Sequence, residues 1–384
     1  MGSAHVSFTK LLVAVTLLPA FLSGPSATAQ EVDDNFVIAS LLISEPGGAL
    51  YSRLGHAALH MQCPEHNLDY VFSYNSEDIY QKPLAFLSGR LKMGLMAVSP
   101  EEYLKDYSEQ GRGVREYTLN LPIEAKRNLW RVLDGHLMEG VDLEFDYIRR
   151  GCAHGSLMLI KEGLGGTRIE YGQWPDYFEG ASRREIAYEH IKDYKWSAFL
   201  LHFLCNGIID RPDCTNEQKV IIPADLPEVL SKATVDGVPV IDDAVKELLP
   251  DTWEAEKGWL SPMLVAIMLL VFTIICAFLR ISVMDYMLLG FQTLLGIVAV
   301  WLLISPLCCT EWSWLLIPFN PLPLILWKWR RHWALPYAIV LLIWAAFMFL
   351  WPHLLTDGAY IIISLSLFCL YTNIYYKFHK HNYE

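Results

Sequence analysis

The sequence predicts an α+β domain followed by an all-α membrane domain of five transmembrane helices. Three observations carry this. Residues 30–257 hold 38 Asp and Glu against 23 Lys and Arg, a charge of −15, whereas residues 258–384 hold 4 acids against 6 bases and are mostly Leu, Ile, Trp, Phe and Ala. Short β-branched runs crowd the first 120 residues, and amphipathic helical repeats follow. Five apolar stretches close the chain, each about long enough to cross a bilayer. The boundaries that follow are 1–29, 30–257 and 258–384.

Residues 1–29 read as an export signal. Lys10 is the positive end, Leu11 to Leu22 is an apolar run too short to span, and Ala27-Thr28-Ala29 is a small-x-small cleavage pattern. Phe36 to Ile43 is a strand, and Pro46-Gly47-Gly48 turns the chain. Ala57–Met61 and Tyr70–Tyr74 are two further strands, Pro83–Leu87 a short helix and Leu91–Val98 a strand. Ser99-Pro100-Glu101-Glu102 starts a helix, with Ser as N-cap, Pro in the first turn and acids at the positive end of the dipole. Val114–Leu119 alternates as a strand. Leu121-Pro122-Ile123-Glu124 then opens a helix whose stripe of Leu129, Val132, Leu133 and Leu137 belongs in a core. A helix starting near Cys152 carries Leu157, Ile160 and Leu164, and Gly163, Gly165 and Gly166 end it. Tyr171–Asn206 is aromatic and amphipathic, fit for a core or for a lipid-facing surface. Residues 208–257 read as loops with one or two short helices.

The candidate spans are Trp259–Leu279, Tyr286–Ile304, Trp312–Trp327, Trp333–Trp351 and Tyr360–Tyr376. With the acidic domain outside, Arg280, Lys328, Arg330, Arg331, Lys377 and Lys380 all fall on the inner side, and the C-terminus is cytoplasmic. The spans lack the run of intramembrane charges that pumps and coupled transporters need, which favours an anchor or a lipid-facing groove. The acidic domain lacks the clustered cations that nucleic acid requires.

Eight cysteines are present, four in each part. Export permits disulfides, and Cys205 and Cys214 are close enough in sequence to bridge. No Cys-x-x-Cys occurs, so neither a zinc ribbon nor a thioredoxin motif is indicated, and no metal or cofactor is expected. Cys152 stands out because Gly151 and Gly155 flank it at a helix start, where the dipole favours thiolate and backbone N–H groups offer an oxyanion site. A thiol at neutral pH also needs a base. His56, after Gly55 at a strand start, is the first candidate; His60 shares its face of that strand. His154 is a third, two positions from Cys152 and so on another helix face. Tyr74 or Asn75 on the neighbouring strand is a candidate orienting group. Against this stand ordinary readings: a buried structural cysteine and a hydrogen-bonded strand histidine.

The order of a strand with His, further strands, then Cys at a helix start resembles the circularly permuted papain-like folds of the NlpC and lecithin:retinol acyltransferase type. More closely, Leu-Tyr-Ser-Arg-Leu-Gly-His-Ala-Ala-Leu at 50–59, Val-Phe-Ser-Tyr-Asn at 71–75, Gly-Arg-Gly-Val at 111–114 and Phe-Asp-Tyr-x-x-x-x-Cys at 145–152 resemble the Lnb-type lipoprotein N-acyltransferases of Bacteroidota. The resemblance implies an inner-membrane enzyme with a periplasmic Cys/His domain. It would move an acyl chain from a phospholipid, through a Cys152 thioester, to the α-amine of a diacylglyceryl apolipoprotein. The family usually has Asn-Cys-Thr where this chain has Gly151-Cys152-Ala153, which puts the oxyanion site and the choice of substrate in question. A cell-wall peptidase or amidase and a non-catalytic scaffold are the competing readings.

Overall fold

The computed structural model describes residues 36–140, 143–144, 146, 151–205, 207–211, 214–254, 258–305, 312–355 and 357–380. The expected export signal, most of the 145–152 motif, Cys308, Cys309 and Glu311 lie outside them.

The N-terminal domain is built on a seven-stranded antiparallel sheet of order β6-β4-β3-β2-β1-β5-β9. Its strands are β1 (Ile38–Ser44), β2 (His56–Cys63), β3 (Leu68–Ser76), β4 (Lys92–Val98), β5 (Val114–Leu119) and β6 (Leu143–Glu144). A small hairpin, β7 (Thr234–Val235) with β8 (Val238–Pro239), precedes the last sheet strand, β9 (Ile241–Leu249). β1 is buried on both faces because both are covered. Ala39, Leu41 and Ile43 join Ala57, Leu59 and Met61 of β2 in the main core. Leu42 and Ala58 point the other way, toward Val71, Tyr103 and Val114.

Helix α1 (Pro100–Glu109) covers the second face through Tyr103, and Ser99 caps it by accepting from the Glu102 N–H at 3.2 Å. Helices α2 (Ile123–Glu139) and α3 (Cys152–Gly163) cover the first, sending Leu129, Leu133, Leu157 and Ile160 into the main core. They cross closely at Gly163, where an added Cβ would lie 2.7 Å from the Leu129 Cβ. That contact fixes the depth of α3 and therefore the height of Cys152 above β2.

Residues 208–257 depart from the expected loops. They hold the short helices Asn216–Lys219 and Asp225–Ser231, but also the nine-residue β9, an edge strand paired to β5. Its acids hide it from pattern reading: Asp242 and Glu247 sit on an exposed edge, where charge is tolerated and blocks further pairing. The aromatic stretch resolves into α4 (Arg183–Ile191) and α5 (Lys195–Leu204). Helix α5 is the junction with the membrane part. The Phe199 ring stacks on Tyr360 at 4.3 Å, the Tyr360 hydroxyl donates to the Phe199 carbonyl at 2.5 Å, and Trp196 Nε1 donates to the Leu260 carbonyl at 2.7 Å.

The C-terminal region is helical: α6 (Pro262–Phe278), α7 (Val283–Ile304), α8 (Arg330–Leu350) and α9 (Ala359–Lys380). Three of its helical stretches are long and apolar enough to cross a membrane, Val283–Ile304, Trp327–Leu350 and Ala359–Lys377; Pro262–Phe278 is apolar but shorter. The expected helical span Trp312–Trp327 is not a helix. It contains a 3-10 turn, Trp314–Leu316, and a four-residue helical turn, Leu322–Ile325, with the chain turning at Pro318 and bending at Pro321, since proline removes donors and clashes with the preceding turn. Side chains of the neighbouring helices satisfy the freed carbonyls. Gln292 Nε2 donates to the Pro318 carbonyl at 2.8 Å, Tyr337 hydroxyl to Ile317 at 2.7 Å, and Trp344 Nε1 to Trp314 at 2.9 Å.

Candidate active site

The chain enters β2 through a tight turn. Gly55 has φ +81°, and a Cβ there would lie 2.6 Å from the Ser44 carbonyl oxygen, so the position requires glycine. The turn is clamped from outside: the Arg53 guanidinium stacks over Tyr194 at 4.7 Å and Trp253 at 5.0 Å. His56 emerges as the first residue of β2, paired with Ser44. Cys152 is the first residue of α3, with Gly151 as its N-cap at φ −59°, ψ 156°. Both line one cavity of about 400 Å³, together with Ser73, Tyr74, Asn75 and Arg112.

The hydrogen bonds fix the state of the imidazole. Asn75 Nδ2 donates to the Met96 sulfur at 3.5 Å, which turns Oδ1 toward Ser73, and Ser73 Oγ donates to that oxygen at 3.3 Å. The Ser73 oxygen therefore accepts from His56 Nε2–H at 2.7 Å, leaving the lone pair on Nδ1. Burial, aided by the Arg112 charge, pulls the His56 pKa down to about 4. The ring is thus neutral at pH 7.

Burial pushes the Cys152 thiol up. The backbone N–H groups of Ala57, Ala153 and Cys152 itself, and then the Arg112 charge, act in the opposite direction. The two side chains line the same cavity, the thiol pushed toward its neutral form and the imidazole neutral at pH 7. These N–H groups belong to the backbone and not to the side chains at 151 and 153.

The other sequence candidates divide. Tyr74 lines the cavity, but its hydroxyl pairs with His136 Nδ1 at 3.0 Å; burial and then Glu162 raise its pKa. Asn75 orients the ring only through Ser73, the residue that sequence reasoning passed over. Its signal was present in Val71-Phe72-Ser73-Tyr74-Asn75, where alternation puts Ser73 and Asn75 on one face. His60 is committed elsewhere: Nδ1 meets Glu116 Oε1 at 2.7 Å and Nε2 meets Asp69 Oδ1 at 2.6 Å. Burial opposes its charge, but these two carboxylates prevail and raise its pKa. His154 meets the Glu217 carbonyl at 3.2 Å, and burial lowers its pKa. Cys205 and Cys214 are free thiols, as are Cys63, Cys152, Cys276 and Cys369, so the 205–214 bridge that the spacing allowed is absent among the described residues. A Cβ added at Gly155 would sit 3.8 Å from Tyr74 Cδ2, an ordinary contact. Among the described residues no three His, Cys, Asp or Glu side chains converge as a metal site.

Residues 26–172 match the family model of the Lnb N-terminal periplasmic domain. No curated protein and no solved structure matches the chain.

Proposed function

We propose that the chain, whose residues 26–172 match the model of the Lnb N-terminal periplasmic domain, is a membrane-embedded acyltransferase working through Cys152. The carrying observation is the shared cavity, in which Cys152 opens a helix and His56 is held as a neutral base by Ser73 and Asn75. As Sγ attacks a phospholipid ester carbonyl, the thiol proton passes to His56 Nδ1. The N–H groups of Ala57, Cys152 and Ala153 stabilise the oxyanion. The C–O bond breaks, Nδ1 returns the proton to the glycerol oxygen, and lysophospholipid leaves a thioester. The α-amine of a lipoprotein's lipidated N-terminal cysteine then attacks the thioester carbon. Its proton goes to Nδ1 and on to the departing sulfur, which restores the thiol.

The rest of the architecture is read in the same light. Residues 30–257 form the periplasmic domain, permuted papain-like in its order of His strand and Cys helix. Residues 258–384 cross the inner membrane five times, the third crossing being the proline-broken segment buried among helices, and the C-terminus is cytoplasmic. Two features support that third crossing. Its Trp312 carbonyl accepts from Gly207 of the periplasmic domain at 3.2 Å, and Trp327 meets Tyr286 near the opposite end of α7 at 6.2 Å. Irregular backbone is tolerated at membrane depth where protein covers it. A base of this kind brings lipid to the domain, which a wall hydrolase would not need.

The test is incubation of the full chain in lipid nanodiscs with isotope-labelled phospholipid, followed by intact-mass measurement. An acyl adduct on the wild type, absent in Cys152→Ala and discharged by a diacylglyceryl lipopeptide, is the expected result. Muropeptide cleavage with no adduct would make the protein a hydrolase. Neither activity would leave a scaffold.

A further inference from the structure

Arg112 is the odd group in the cavity wall. It is 4% exposed, yet among the described residues it has no carboxylate partner. Its Nε donates to the Glu45 carbonyl at 2.8 Å and its Nη1 to the Gln110 side-chain oxygen at 3.3 Å, both neutral acceptors. The nearby Glu45 carboxylate is taken by Arg115 at 2.9 Å. Nη2 is buried and has no hydrogen-bond partner among the described residues. The guanidinium is also held rigidly. It lies over the Tyr107 ring at 4.6 Å, and Gly47 packs so closely that a Cβ there would come 2.8 Å from Arg112 Cδ. Tyr107 packs in turn against Tyr103, the rings tilted at 40°, and the Tyr103 hydroxyl bonds Ser44 Oγ at 3.0 Å.

A buried cation without a counter-charge is costly, and an unused donor adds to the cost. Such a group persists where a ligand completes it. The guanidinium fork matches the oxygens of a phosphate, and a stacked, pre-oriented one loses little freedom on binding. The same cavity carries Glu102 and Asp106, one turn apart on α1 and both exposed at its rim, with no ion pair among the described residues. The wall is therefore cationic inside and anionic outside.

We infer that Arg112 is the phosphate-recognition residue of this cavity, and that the ligand is a phosphodiester whose cationic amine extends toward Glu102 and Asp106. The inference deepens the acyl-donor reading by naming the head group. Phosphate on Arg112 would anchor a lipid beside the thiol, leaving the ester to reach Sγ.

The head group alone tests this without any acyl chemistry. In the full chain, Cys152 is alkylated with iodoacetamide with and without sn-glycero-3-phosphoethanolamine, which has no acyl ester. Protection is expressed as a ratio for each variant, so changes in the thiol's own reactivity cancel. The expected result is protection of the wild type by this compound but not by glycerol. Arg112→Gln should need about tenfold or more of the head group for equal protection, the cost of one charged hydrogen-bonding group. Arg112→Lys, which keeps the charge and loses the fork, should fall between. Glu102→Gln with Asp106→Asn should erase the preference for glycerophosphoethanolamine over glycerophosphoglycerol. An unprotected wild type, equal protection by glycerol, or undiminished protection of Arg112→Gln would overturn the assignment. If Arg112→Gln does not fold, the wild-type comparison with glycerol decides alone. Protection together with a negative labelled-lipid result would remove the transferase reading and leave the phosphate site standing.

Discussion

The start and the middle of β2 place the same side chain in opposite surroundings. His56 and His60 lie four residues apart on one face of one strand, and both are largely withdrawn from water. At the start of the strand His56 has only neutral partners and a nearby guanidinium, so burial wins and its pKa falls to about 4. In the middle, Asp69 and Glu116 flank His60, the latter also paired with Lys246 at 3.3 Å, and the ring is held toward its charged form. One histidine is neutral at the cavity; the other is held toward its charged form and ties β2 to β3 and β5. Type and spacing made them equivalent candidates, and only the partners separate them.

The largest way to break this contrast is His56→Ala. Loss of a positioned general base should cut acyl-adduct formation by about 10²–10⁴-fold, with a melting temperature close to wild type. His60→Gln should do the reverse, keeping activity per folded molecule while lowering stability by about 3 kcal/mol in denaturant titration, because two carboxylates lose their shared cation. A pH series sharpens the comparison through its signs. His56 is depressed, so its contribution to stability is complete above the unfolded value of 6.5 and is lost as pH falls toward 4. His60 is raised, so its contribution is complete below 6.5 and is lost as pH rises through its folded pKa. Thermal melts should show an alkaline decline that His60→Gln flattens, whereas acylation should hold from neutrality down to about pH 5. Ser73→Ala removes the ring's orienting acceptor and should cost about tenfold in rate with little change in lipid binding. Smallest of all, Tyr337→Phe in the membrane part should cost about 1 kcal/mol, since it frees one carbonyl of the broken segment.

Much of this was legible along the chain. Ser99 announced its helix by cap chemistry, Leu129 and Leu133 by period, and Gly151-Cys152 the start of α3 by dipole logic. Three things were not. β9 hid because an edge strand needs no alternating apolar face, and its acids read as loop. The Trp312–Trp327 stretch has the composition of a span but not its backbone, because hydropathy does not register Pro318, Pro321 and Pro323. Ser73 and Arg112 escaped for a common reason. Their roles depend on who faces them across the fold, one on His56 and Asn75, the other on the lack of a carboxylate among the described residues. Sequence spacing carries local periodicity well and absent partners not at all.

The most direct measurement is single-turnover acylation of Cys152 from labelled phospholipid, followed by intact mass across pH 4 to 8, in wild type, His56→Ala and His60→Gln. The account predicts a wild-type rate that falls only as pH nears 4, near-silence in His56→Ala at every pH, and a His60→Gln profile that overlays wild type. Wild-type rates in His56→Ala, or their loss in a folded His60→Gln, would contradict it.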